Sequence, residues 1–217
     1  MTPKIFGIGL NKTGTKTLGA CFDILGFNAI SCRADLLAYY RAGQLDRVFA
    51  VIDQFEAFED WPYPLMYREL FARYGHNARF ILTRRRDPAT WLASLKKHSL
   101  KTDPDSHCRL LAYGYPYPHG VEPHHLDFYD RHLREVRAFF RSQNAQDQLL
   151  EACWEEATGW HELCAFLAKP IPAQPFPYLN KSEDFPTAQE KFARNQELIK
   201  LQIGLLNPSL LIAQSGK

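Results

Sequence analysis

The feature that most constrains this chain is a short apolar run ending in glycine that opens into a polar loop and then a helix. Lys4-Ile-Phe-Gly-Ile-Gly9 reads as a buried strand. Lys16–Leu25 places Leu18, Cys21, Phe22 and Leu25 at the spacing of one helix face, with Gly26 as the stop. The loop between them, Leu10–Thr15, holds Lys12, Thr13, Gly14 and Thr15. A glycine-containing turn from strand to helix aims several backbone N–H groups into one space, and the helix N-terminus adds roughly half a positive charge. Lys12 and Lys16 add full charges, and the hydroxyls of Thr13, Thr15 and Thr17 add donors. The segment is a candidate cradle for a phosphate-like anion; the competing reading is a tight turn with surface lysines.

Strand and helix patterns keep alternating. Phe27–Ser31, Phe55–Phe58, Arg79–Thr83 and Leu149–Trp154 read as strands. Asp35–Ala42, Leu45–Ile52, Pro64–Tyr74, Pro88–His98, Asp127–Phe140 and Thr158–Leu167 read as helices, with Asp87 as N-cap of the one opened by Pro88. This order predicts an α/β fold with a mostly parallel central sheet flanked by helices in three layers. The 217 residues suit one domain, with neither repeats nor a second unit. Residues 101–125 carry four prolines, three tyrosines and four histidines, and are expected to form an irregular lid or acceptor loop. A terminal helix is expected over about 190–205.

Net charge is only +2, which argues against an extended polyanion such as nucleic acid as partner. The charge is concentrated, however. Residues 1–18 carry +3 and residues 79–101 carry +6, which leaves −7 on the rest. Both islands follow a strand-like run. The five cysteines are odd in number and lack C-x-x-C spacing, so neither a disulfide framework nor a zinc site is expected, and Cys21, Cys153 and Cys164 read as core. No long apolar leader and no stretch approaching about 18 apolar residues is present, so a cytoplasmic chain without membrane attachment is expected.

The loop matches neither common nucleotide fingerprint. Lys12 stands where a Rossmann G-x-G-x-x-G needs its third glycine, and Thr15 stands where Walker A needs lysine, with Lys16-Thr17 one residue late. Lys12-Thr-Gly-Thr-Lys-Thr-Leu18 instead resembles the 5′-phosphosulfate loop of sulfotransferases that use 3′-phosphoadenosine 5′-phosphosulfate (PAPS), with Lys16 where a hydroxyl is common. The second island is similar to the 3′-phosphate motif of that family, an Arg at a strand end and a Ser eight residues on in the next helix: Arg86, after the Arg79–Thr83 strand, and Ser94 have that separation. Arginine offers a dianion a two-pronged grip that lysine does not. Phe58–Leu70, with Asp60-Trp61-Pro62, resembles the Asp-x-Pro segment of one bacterial, fungal and plant branch, and 159–180 resembles its closing motif.

The resemblance implies a P-loop NTPase-like fold and in-line transfer of a sulfonyl group to a hydroxyl or amine of a small-molecule or glycan acceptor, without a metal. It places Lys12, Thr13, Gly14, Thr15, Lys16, Thr17, Arg86 and Ser94 on PAPS, with Lys12 at the leaving phosphate. Asp60 holds the position of the family's catalytic histidine and is the candidate base; its alternative role is to cap the next helix. His98 is a second candidate base, and Asn180-Lys181 the nearest basic counterpart to a third PAPS segment. Trp61, Tyr63, Tyr67 and the 101–125 segment line either an acceptor pocket or the core. The rival readings are a P-loop kinase or NTPase, which would need Mg²⁺, and an inactive nucleotide-binding homologue.

Overall fold

A computed structural model of the chain describes residues 3–103, 105, 108–156, 158–178 and 189–207. Five strands, β1 (Lys4–Gly7), β2 (Ala29–Ile30), β3 (Ala57–Phe58), β4 (Ala78–Thr83) and β5 (Leu149–Ala152), form one sheet in the order β2-β3-β1-β4-β5. Every pairing is parallel. The helices are α1 (Thr15–Ile24), α2 (Ala34–Arg41), α3 (Leu45–Ile52), α4 (Tyr67–Tyr74), α5 (Pro88–Ser99), α6 (Arg109–Tyr113), α7 (Glu122–Ser142), α8 (Trp160–Leu167) and α9 (Gln189–Leu206).

Strand side chains alternate between two cores. Ile5, Ala57, Ile81 and Ala152 pack on one face with Leu18, Cys21 and Phe22 of α1 and with Leu163 of α8. Phe6, Phe58, Phe80 and Leu82 pack on the other face with residues from α2, α3, α4, α5 and α7. Register brings three phenylalanines abreast: Phe6 lies opposite Phe58 and Phe80, with ring centroids 4.8 and 5.5 Å away. Each fully buried ring of this kind contributes about 2–3 kcal/mol through removal from water. The expected three-layer α/β architecture is the one observed.

The connection out of β1 runs through α1 on one face toward β2. The connection out of β4 runs through α5 and α7 on the other face toward β5. Neighbouring strands whose connections diverge leave a crevice at their carboxyl ends, where ligands of open α/β sheets bind. Lys12 and Lys16 of one basic island and Arg84–Arg86 of the other follow these strand ends. Gly9 keeps the crevice floor tight, because a Cβ on it would lie 2.0 Å from Thr83 Oγ1.

Two expectations need correction. The helix read from Pro64 starts only at Tyr67, because Pro62–Met66 closes turns first, with Leu65 N–H donating to the Pro62 carbonyl (2.9 Å). The 101–125 segment, read as irregular, contains α6 and the first turn of α7. Pro123 lies in that first turn, where the missing N–H would have had no partner, so it opens a helix instead of breaking one. The rest of the segment is organised by the buried Arg109, whose guanidinium donates to the Pro116 carbonyl and the Thr102 hydroxyl and lies over the Tyr117 ring. Asn195 and Gln202 of α9 bond to backbone groups of this segment, so the last helix lies against it.

Candidate active site

The loop after β1 is held from three sides. Thr13 donates its hydroxyl to the Leu10 carbonyl (2.6 Å) and lies 2.6 Å from the Thr83 hydroxyl at the end of β4. That hydroxyl is thus engaged in anchoring the loop. Trp91 of α5 donates its indole N–H to the Asn11 carbonyl (2.9 Å), and Tyr113 of α6 donates its hydroxyl to Asn11 Oδ1. From below, Trp154 donates its indole N–H to the Gly14 carbonyl (3.1 Å). Gly14 has φ +97°, and a Cβ there would lie 2.2 Å from Trp154 Cδ1, so two independent constraints require glycine.

Gly14 is also the N-cap of α1. No side chain caps this helix, and no acid lies in its first turn. An uncapped helix start with Lys12 and Lys16 beside it has the donor set that a phosphate or sulfonate requires. Thr15 and Thr17 are buried on the inner side of the same turn, and Lys16 is exposed.

Lys12 and Asp60 share an uncommon backbone state. Their φ values are +69° and +68°, and among the described residues the other non-glycine positions with positive φ are Asn144 and Ala168. Such conformations cost on the order of 1–3 kcal/mol, persist only where surroundings enforce them, and cluster at functional sites. Lys12 is half-buried. Burial lowers its pKa first, Lys16 and Arg85 lower it further, and Asp60 opposes them.

Asp60 follows β3. Its Oδ2 accepts from the Thr15 hydroxyl (3.2 Å), and its Oδ1 accepts from the Trp61 N–H (2.9 Å). Burial raises its pKa well above the ordinary aspartate range, while these hydrogen bonds and the two lysines pull the other way. Asp60 caps no helix: α4 begins at Tyr67 with Met66 before it. The aromatic candidates Trp61, Tyr63 and Tyr67 are all buried in the core, and Trp61 packs edge-on to Tyr113 at 5.4 Å.

Glu59 is a participant that sequence reasoning missed. It is 4% exposed, its Oε1 accepts from the Ser31 hydroxyl, and its Oε2 meets no hydrogen-bond partner among the described residues. Burial and the adjacent Asp60 charge raise its pKa. Together with Lys16, Gly19, Asp23 and Ser31 it lines a cleft of about 390 Å³ between α1 and β2. The available signal was an acid directly before the candidate base at a strand end.

The three consecutive arginines, of which Arg86 alone carries the spacing to Ser94, differ in their partners. Arg84 pairs with Glu151 and Glu156, both at 2.7 Å. Arg85 pairs with Glu155 at 2.9 Å. Arg86 donates its backbone N–H to Glu155 (3.0 Å), while among the described residues its guanidinium makes one longer contact, 3.3 Å to Asp87, and the side chain is 66% exposed. Asp87 caps α5, accepting from Thr90 N–H (2.6 Å), and Ser94 lies half-buried two turns along. The remaining candidates are spread out: His98 lies in the last turn of α5, His124 and His125 bond to the carbonyls of Tyr113 and Val121, and Asn180-Lys181 and His107 lie outside the described residues. No described helix is long and apolar enough to cross a membrane.

The chain is 25% identical over 220 residues to the Ava biosynthesis cluster protein M of Aspergillus versicolor, covering 83% of this chain and 82% of that protein. The family model described as "Sulfotransferase domain" matches residues 4–119 and 108–185. That span begins at β1, takes in both basic islands and Asp60, and runs past α8. The chain therefore belongs to the sulfotransferase domain family.

Proposed function

We propose that the protein is a PAPS-dependent sulfotransferase acting on a hydroxyl or amine of a small-molecule or glycan acceptor. PAPS supplies a sulfonyl group joined to a phosphate leaving group. Lys12, the backbone of Gly14–Thr17 and the side chains of Lys16 and Thr17 hold the 5′-phosphate end. Lys12 offsets the charge that develops on the leaving oxygen, which is the largest contribution a preorganised site makes to a displacement of this kind. Arg86 and Ser94 hold the 3′-phosphate. Asp60 takes the proton from the acceptor as its oxygen or nitrogen bonds to sulfur and the bond from sulfur to the phosphate oxygen breaks.

The observation that carries this reading is the placement of Lys12 and Arg86 beyond the carboxyl ends of adjacent parallel strands, one in each basic island. That spacing suits two anionic groups on one nucleotide. The raised pKa of Asp60 and its fixed orientation suit a base. Calorimetric titration tests the assignment. Adenosine 3′,5′-bisphosphate should bind without Mg²⁺. Binding of ATP only with Mg²⁺, and no binding of the bisphosphate, would favour a kinase and overturn the proposal. Incubation with labelled PAPS and an acceptor panel then separates an active enzyme from a nucleotide-binding homologue.

A further inference from the structure

Five cysteines were read as an unpaired set, yet two of them meet in space. The Sγ atoms of Cys32 and Cys108 lie 3.7 Å apart although 76 residues separate them in the chain. Cys32 is exposed, in the segment between β2 and α2. Cys108 is 6% exposed and immediately precedes α6. We propose that Cys32 and Cys108 form a reversible dithiol–disulfide site that reacts with small disulfides such as glutathione disulfide and, when oxidised, staples α6 to the segment after β2.

The geometry needs little change. A disulfide bond is about 2.05 Å long, so the sulfurs must close by roughly 1.7 Å, a displacement of the size that side-chain rotation supplies. α2 already holds α6: Arg41 donates to the carbonyls of Leu111 (2.7 Å) and Ala112 (2.9 Å). Arg33 N–H, next to Cys32, donates to the Trp61 carbonyl (3.1 Å). The two thiols also divide the chemical roles. The Cys32 thiol belongs to an exposed residue and that of Cys108 to a buried one, and the contact between the two sulfurs holds the Cys108 pKa below the usual thiol value. The thiolate is the attacking form in exchange.

The reaction balances without a further reagent. Cys32, its proton passed to solvent, attacks glutathione disulfide as the thiolate, forming a mixed disulfide and releasing a glutathione thiolate that is protonated to the thiol. Cys108 thiolate then attacks Cys32 Sγ and releases the second. Two S–H bonds are lost from the protein, one S–S bond forms, and the two electrons reduce glutathione disulfide to two thiols. The staple would act close to the cradle, since Tyr113 at the far end of α6 bonds to Asn11 beside Lys12.

The test uses the full chain in glutathione redox buffers, acid-quenched and alkylated under denaturing conditions, with intact mass and peptide mapping as readouts. The reduced protein should show five alkylated thiols and the oxidised protein three, with a Cys32–Cys108 linked peptide that disappears on return to reduced glutathione. Cys32→Ser, a change at an exposed position, should form no link. Five alkylated thiols under oxidising buffer, a glutathione adduct that stays on Cys32, or a link between other cysteines would each overturn the proposal.

Discussion

Thr15 donates its hydroxyl to Asp60 Oδ2 across 3.2 Å, joining the first residue of α1 to the residue that follows Glu59 at the end of β3. The other carboxylate oxygen is held by the Trp61 N–H. An acid gripped at both oxygens keeps one orientation, and here one of the grips belongs to the loop proposed to bind the nucleotide. The proposed cradle and the proposed base are therefore tied together by Thr15.

This arrangement predicts the shape of the pH profile. Asp60 must be ionised to accept a proton, and burial raises its pKa, so kcat/KM should fall on acidification above the ordinary aspartate range. Lys12 must be protonated, and burial lowers its pKa, so the alkaline limb should lie below the usual lysine value. Asp60→Asn should remove the acid limb and reduce kcat by about 10²–10⁴-fold. Thr15→Val removes a hydrogen bond to the charged form, so it should move the acid limb to higher pH; an unmoved limb would mean that Asp60 is not the titrating base.

Lys12→Ala should reduce turnover by about 10²–10³-fold while leaving binding of adenosine 3′,5′-bisphosphate measurable by calorimetry. Weakened bisphosphate binding with kcat unchanged would instead assign Lys12 to ground-state binding.

Arg86→Ala should weaken adenosine 3′,5′-bisphosphate by about 10–100-fold, the worth of a charge-assisted grip, and leave adenosine 5′-monophosphate unchanged. Arg84→Ala should behave oppositely, leaving both nucleotides bound while lowering unfolding stability by about 1 kcal/mol, because its partners are Glu151 and Glu156 on a partly exposed sheet end.

Gly14→Ala should destabilise the fold by more than about 2 kcal/mol in chemical denaturation, since it combines a positive φ with a clash against the Trp154 ring. Adding Trp154→Ala should recover only the steric part, so the double-mutant cycle separates collision from backbone strain.

Glu59 predicts a stability profile. Its folded pKa is raised, so the native state holds the proton more tightly than the unfolded chain. Its contribution is fully present below the ordinary glutamate range and is lost as pH rises through the raised value. Urea unfolding across this window should show stability falling, and Glu59→Gln should flatten the slope. An unchanged slope would assign the dependence to another group.

What the sequence disclosed was what it encodes locally. The loop from Gly9 to Leu18 announces an anion cradle because glycine, lysines and hydroxyls lie within a few residues of a strand and a helix. The layered fold follows from alternating hydrophobic periods. Arg86 stands out in the sequence by its spacing to Ser94, but the ion pairs that occupy Arg84 and Arg85 could not be read there, because Glu151, Glu155 and Glu156 lie about 70 residues away. The first turn of α7 was hidden because Pro123 reads as a breaker until its position in the helix is known. Cys32 and Cys108 carry no spacing that would betray their proximity.

The indole beneath Gly14 has a consequence for biosynthesis. Trp154 comes 140 residues after the glycine whose carbonyl it holds. A nascent chain that has emerged only through α7 carries the whole loop but not the ring beneath it, nor the glutamates that neutralise Arg84 and Arg85. The loop after β1 therefore gains its support from below only once β5, the last of the described strands, has been made.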